Sequence, residues 1–150
     1  MAQKNIQKVP PQNIEAERSL LGSVLISQDA FFKIVDIVKP DDFYDPGHKL
    51  IFGAVMKLTE AQKPVDLVSL TNILSERGEL QAVGGNSYIA ELTSAVATAS
   101  HAKHYAEIIA EKSIRRRLIS ASEDIVALSF DESDSDASSI LDSAEQKLFN

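Results

Sequence analysis

A chain of 150 residues, 44% apolar and 25% charged, is sized for one compact unit with a buried core. It has no cysteine and no apolar run approaching a membrane span, and it is polar from Met1 to Asn13, where a secretory signal needs apolar residues; a soluble protein of the reducing cytoplasm is expected. The formal net charge of −7 opposes polyanion binding by the whole domain, because phosphate contacts draw their affinity from Lys and Arg.

After Val9-Pro10-Pro11, Asn13 is placed to cap a helix whose apolar residues Ile14, Leu21, Val24 and Leu25 share one stripe, ending near Ser27. Asp29 offers a second cap ahead of Phe31, Phe32, Ile34, Val35 and Val38, and the lack of alternation there favours helix over strand. Lys39-Pro40-Asp41-Asp42-Phe43-Tyr44 reads as a breaker and turn. Asp45-Pro46 then sets a capping carboxylate ahead of a proline at the first helical position, with Ile51, Phe52, Val55 and Leu58 on the buried face.

Lys63-Pro64 interrupts again, and Asp66 caps a helix carrying Leu67, Leu70, Ile73 and Leu74, stopped at Gly78, where a left-handed residue costs least. Gly84-Gly85 ends the next turn and precedes Tyr88, Ile89, Leu92 and Val96. From His101 to Phe130 there is neither proline nor glycine, so one helix of about 45 Å is predicted at about 1.5 Å per residue. The acidic, serine-rich Asp131-Glu132-Ser133-Asp134-Ser135-Asp136 reads as a solvated connector to a last helix with Ala137, Leu141, Ala144 and Leu148 on one face. No segment alternates with a period of two. The chain is therefore predicted to be all-α: a flexible arm over 1–12, a small helical globule over 13–99 and a long antiparallel helical hairpin over 100–150.

In the long helix Ile114, Leu118, Ala121, Ile125 and Leu128 are spaced alternately four and three apart, a seam suited to packing on the last helix. At about 100° per residue, Tyr105, Ile108, Ile119, Val126 and Phe130 gather on the opposite side, which the hairpin partner cannot cover. Tyr105 and Ile108 can pack on the globule. Ile119, Val126 and Phe130 lie farther along, and a second copy of the chain is the economical cover; with Ile140 they form the predicted dimer face.

Candidates for chemistry are weak. No glycine of the six is followed by lysine, so a G-x-x-x-x-G-K-[ST] phosphate loop is absent and ATP binding is not expected; nor is there a G-x-S-x-G elbow. His101, His104 and Glu107 share one helix edge at a spacing metal ligands can use, but helix-start polarity explains them more simply. Asp41, Asp42 and Asp45 fit turn and cap roles better than an acid/base pair. Arg115, Arg116 and Arg117 point about 100° apart and cannot all face one ligand, so a solvated face with Glu111 paired to Arg115 is preferred, with a partner-protein contact as the alternative. The few aromatics fall at apparent core positions, where they cannot stack on bases. Neither cofactor nor metal is expected, and the chain by itself is not expected to be an enzyme.

Taken in order, Val9-Pro10-Pro11, Ile14-Glu15-Ala16-Glu17 with Leu21-Gly22, Asp41-Asp42-Phe43-Tyr44 with His48 and Ile51-Phe52, Pro64-Val65-Asp66-Leu67, Gly84-Gly85 with Tyr88 and Ala90-Glu91-Leu92, and Tyr105-Ala106 with Ile108 form a specific set. The chain resembles the replicative helicases of the DnaB type from about Val9 onward. The resemblance implies an N-terminal domain of globule plus hairpin, joined in the parent to a RecA-like ATPase that uses ATP and Mg. It further implies hexamers whose N-terminal domains form a collar, a trimer of dimers, that recruits primase. Ending at Asn150 before any ATPase motif, the chain is expected to be a fragment; the alternative is a free-standing dimeric adaptor regulating a helicase or primase. A helicase loader is a further expected partner, single-stranded DNA is expected to engage only the full hexamer, and the location is the bacterial cytoplasm at replication forks.

Expected primase contacts are Tyr88, Ile119, Ile125 and Arg116. Ile119 lies off the seam among the polar Arg116, Ser120 and Glu123, the pattern of an apolar anchor inside a polar rim. Ile125 is equally suited to packing within the hairpin, and Tyr88 to the globule core with only its hydroxyl exposed.

Overall fold

A computed structural model describes residues 9–133 and 136–149, and among these the chain forms seven α-helices and no strand, the all-α class that the patterning predicts. Residues 1–8 of the predicted arm lie outside the described residues. Helix α1, Ile14–Ile26, starts where Asn13 Oδ1 accepts the Ala16 N–H at 2.9 Å. Helix α2, Gln28–Ile34, begins one residue before the predicted Asp29 cap. Ser27 is extended and ends one helix while starting the next, so the chain turns within a single residue and Asp29 falls in the first turn, where its charge complements the positive helix end. Val38, expected on that helix, is buried beyond its end.

A single 3₁₀ turn, Pro40–Asp42, leads into α3, Pro46–Glu60, whose Asp45 cap accepts from the Gly47 and His48 N–H groups at 2.7 and 3.2 Å. Asp66 caps α4, Leu67–Glu76, through the Ser69 N–H at 2.8 Å, and Gly78 is left-handed at φ 68° just beyond it. Helix α5 is Gly85–Ser94, so Val96 follows the helix it was expected to join. Helix α6, Ala102–Phe130, is the long helix of 29 residues, and α7, Ala137–Phe149, is capped by Asp136 through the Ser139 N–H at 2.8 Å.

The chain divides into two compact units, one of them Gln12–Ser113. Its core centres on Leu20, Leu21, Ile34, Phe43, Phe52 and Leu92, with Phe52 meeting Phe43 and Phe31 at ring centroids 5.0 and 6.0 Å apart. Helices α1 and α5 approach closely at Gly22, where an added Cβ would lie 2.4 Å from the Leu92 carbonyl oxygen. The division falls inside α6, after Ser113, whereas the sequence reading ended the globule at residue 99. Buried Ala102, Ala106, Ile109 and Ser113 are the reason, because they make the first turns of α6 part of the globule. The Ser113 hydroxyl donates to Asp42 Oδ1 at 2.7 Å within that unit.

The other unit holds α6 from Ile114 onward, α7 and Pro11. The helices are antiparallel: Lys147 near the end of α7 reaches Asp124 in the body of α6 at 3.5 Å. Ala121, Ile125 and Leu128 of α6 and Ile140, Ser143 and Ala144 of α7 are half-buried. Leu141 and Leu148, the expected packing residues of α7, are instead exposed; Leu141 lies about 100° around the helix from Ile140, which takes its place. Ile114 and Leu118 stay half-exposed and border one groove with Lys147, Leu148 and Phe149. Among the described residues no helix is long and apolar enough to cross a membrane.

Candidate partner-docking surfaces

Two features stand apart from ordinary core and surface, one in each unit. In the globule, the apolar stripe of α1 is broken by one charge, Glu17, which is 1% exposed. Burying a carboxylate is costly unless its lone pairs are filled. Glu17 Oε2 accepts the Tyr44 N–H at 2.7 Å, while Oε1 accepts the Asp45 N–H at 3.2 Å and His48 Nδ1 at 2.8 Å. His48, also 1% exposed, is carried by α3 on the same face as Ile51, Phe52 and Val55, and its Nε2 lies 2.5 Å from the Tyr88 hydroxyl of α5. The network thus joins α1, the turn before α3, α3 and α5.

Gly84 makes room for Tyr88: it is left-handed at φ 104°, and a Cβ there would come within 2.8 Å of Tyr88 Cβ. The Arg18 guanidinium lies 5.8 Å from the centre of the Tyr88 ring. Burial pushes the Tyr88 hydroxyl above its ordinary pKa, with the Arg18 charge pulling the other way. The hydroxyl, expected to be the exposed part of Tyr88, is hydrogen-bonded to His48, and the side chain as a whole is half-buried. Glu17 and His48 escaped the sequence reading as functional residues, although a charge and an imidazole on otherwise buried stripes were the signals available.

The second feature is apolar surface outside the globule. Ile119 and Val126 line a shallow apolar depression with Leu118, Ser122 and Glu123, and Phe130 near the end of the helix is 85% exposed. Ile140, the fourth residue of the predicted dimer face, is half-buried on α7. Of the expected primase contacts, Tyr88 belongs to the globule, while Arg116, Ile119 and Ile125 belong to the second unit. Ile125 is half-buried, as a seam position would be, and Arg116 is half-buried with Nη1 donating to the Pro11 carbonyl at 2.8 Å. Phe32 and Phe149, counted by sequence among core aromatics, are exposed at 58% and 88%. Phe32 lies on the side of α2 away from the buried Ala30, Phe31 and Ile34, and Phe149 borders the groove with Ile114 and Leu118.

The remaining candidates are structural. Asp42 accepts from the Lys39 N–H at 2.8 Å and Asp45 caps α3, so these carboxylates serve turns. The exposed His101 and His104 sit against the Tyr105 ring at 6.4 and 6.0 Å. Among the described residues no three His, Cys, Asp or Glu side chains gather as a metal site.

The chain matches the family model for the DnaB-like helicase N terminal domain over residues 9–111. It is 38% identical over 142 residues to the replicative DNA helicase DnaB of Geobacillus stearothermophilus, a match covering 95% of this chain and 31% of that protein. Against the replicative DNA helicase DnaC of Bacillus subtilis it is 42% identical over 112 residues, covering 75% of this chain and 25% of that protein. The chain thus spans less than a third of the length of these curated relatives. The crystal structure of the N-terminal domain of DnaB helicase from Mycobacterium tuberculosis superimposes with a TM-score of 0.90 at 35% identity, covering 94% of this chain and 99% of that one. A DnaB-like replicative helicase solved for its interactions with primase shares the fold at a TM-score of 0.74 and 23% identity, over 91% of this chain and 31% of that one. With a family model matched across most of its length and a solved domain matched nearly end to end, the chain belongs to the DnaB-like helicase N-terminal domain family.

Proposed function

We propose that this chain is the collar-forming part of a bacterial replicative helicase: it pairs with a second copy of itself and docks primase, while DNA unwinding and ATP hydrolysis reside in the rest of the parent protein. The observation that carries the pairing is the apolar face of Ile119, Val126 and Phe130, which stays largely exposed among the described residues of its own unit. Burial against the same face of a second copy takes Val126 and Phe130 out of water, with Ile119 at the edge of the contact, and closes under two-fold symmetry. In the parent, three such dimers would complete the hexameric collar, and single-stranded DNA would be held by that full ring. The chain's charge of −7 agrees with a module that works through proteins.

Primase docking draws support from the solved helicase of the same fold, which was studied with its primase. Ile119, 45% exposed beside Ser122 and Glu123, has the form of an anchor within a polar rim, and Tyr88 is the corresponding aromatic of the globule. A loader is a further partner of the parent, at the replication fork in the cytoplasm. The test of the pairing is solution mass against concentration for the wild type and for Val126→Asp with Phe130→Asp. The wild type should approach twice the chain mass and the variant should remain single, because an unpaired carboxylate in the contact is costly. A variant that keeps the wild-type mass refutes this face.

A further inference from the structure

The buried Glu17–His48 pair touches no surface, yet it ends on the one aromatic of the globule assigned above to partner docking, and its chemistry fixes what that aromatic can offer. Glu17 Oε1 can only accept, so the 2.8 Å contact requires hydrogen on His48 Nδ1. A neutral imidazole protonated there has a bare Nε2, and the only hydrogen available for its 2.5 Å contact is that of the Tyr88 hydroxyl. With His48 in that neutral form, the tyrosine spends its single donor inward. Its oxygen retains accepting capacity, the hydroxyl end of the ring is held by His48, which also stacks on it, and Arg18 lies over its face. The other charges that act on this hydroxyl are the carboxylates of Asp45, Glu91 and Glu17.

We propose that Glu17 and His48 are positioning residues for partner docking: they hold Tyr88 as a fixed ring with an acceptor-only oxygen, which selects a hydrogen-bond donor on the partner at that point. The inference rests on the reading that Tyr88 lies in the primase-docking surface. A tyrosine free to rotate its hydroxyl would accept either a donor or an acceptor from the partner. One whose proton is already committed discriminates between them, because a buried acceptor facing it would be left unpaired.

The test is a double-mutant cycle read by titrating the C-terminal helicase-binding domain of the cognate primase against this whole chain. His48→Gln is compared in the Tyr88 background and in the Tyr88→Phe background, with circular dichroism confirming the fold. The expected result is a loss of roughly fivefold in affinity from His48→Gln when Tyr88 is present and less than about twofold when Phe replaces it, since coupled neighbours are non-additive. Equal losses in both backgrounds mean that His48 acts only through the fold, and they overturn the proposal. If Tyr88→Phe and Tyr88→Ala leave affinity unchanged while Ile119→Ala weakens it, docking stands and the positioning role falls. If the wild-type chain binds no primase, the docking reading itself falls and takes the positioning role with it. Should His48→Gln fail to fold, nitrogen-15 NMR of the wild type at neutral pH decides: a neutral imidazole protonated at Nδ1 supports the proposal, and an imidazolium or an Nε2–H tautomer overturns it.

Discussion

Removing the Glu17 carboxylate gives the sharpest test of what holds the globule. Glu17→Ala removes the acceptor of three donors: the half-buried Tyr44 and Asp45 N–H groups and the buried His48 Nδ1. Each orphaned donor costs about 1–3 kcal/mol, or about 3–9 kcal/mol if nothing relaxes. Against this, the folded state no longer has to desolvate a carboxylate, a penalty of several kcal/mol, so a net loss of about 3–5 kcal/mol is expected, as when one partner of a buried pair is deleted. Glu17→Gln retains one acceptor but turns an amide NH₂ toward at least one of the same donors, and should cost about 1–3 kcal/mol. Urea unfolding followed by circular dichroism at neutral pH reads both, with the order wild type, Gln, Ala in midpoint. Hydrogen exchange adds a local readout, since the Tyr44 and Asp45 amides should lose protection in both variants even below the global transition. An Ala variant within about 1 kcal/mol of wild type would show that water or a shifted turn replaces the carboxylate, and the argument for a structural clamp would fail.

Three further perturbations test other parts of the structure. Gly22→Ala places a Cβ 2.4 Å from the Leu92 carbonyl oxygen, so an overpacking cost of about 1–3 kcal/mol should exceed the gain of up to about 1 kcal/mol in helix propensity; a raised melting temperature would mean that α1 and α5 separate freely. Burial raises the Tyr88 pKa above 10.0 in the fold, so its contribution to stability is complete below that value and is lost as pH climbs through the folded pKa; urea midpoints should fall from pH 9 to pH 11 less steeply in Tyr88→Phe, and parallel slopes would refute this. Ile119→Ala should weaken primase binding roughly thirtyfold, the equivalent of about 2 kcal/mol, with the fold unchanged by circular dichroism; an unaltered affinity removes Ile119 from the contact.

The helical punctuation was legible because its physics is local. Asn13, Asp45 and Asp66 cap the helices they precede, and Gly78 is left-handed where a stop was expected. Ser27 hid the start of α2 because one residue served two helices, which no cap pattern marks. That the first compact unit runs on to Ser113 was not legible for a different reason: periodicity shows that α6 continues but not which of its turns lie against other helices. On α7 hydrophobicity favoured the stripe Ala137-Leu141-Ala144-Leu148, while packing took Ile140, Ser143 and Ala144. Nor could spacing within one helix reveal a network whose members stand 31 and 40 residues apart. The motif Leu21-Gly22, visible in sequence only as a resemblance, gains its physical reason from the Leu92 carbonyl.

The state of α7 ties the pairing prediction to folding. Helix α7 has 13 residues and not one of them is buried. An isolated helix shorter than about 12–15 residues is marginal in water, and most helical stability in proteins comes from packing an apolar face. Among the described residues, the cap at Asp136, the exposed ion pair to Asp124 and the half-buried edge at Ile140, Ser143 and Ala144 bury little of such a helix, while Leu141, Leu148 and Phe149 stay largely exposed. A second copy that covers this unit would therefore supply contacts that α7 lacks, and association and α7 order become one linked equilibrium. Dilution of the wild type should then lower helical ellipticity together with mass, and Val126→Asp with Phe130→Asp should show the reduced ellipticity at every concentration. Hydrogen exchange should place the loss in α7 and the last turns of α6, with the globule amides fully protected. If the single-chain variant retains full helicity and protection through Phe149, the hairpin is stable without a partner, and the linkage between pairing and folding is wrong even where the dimer face is right.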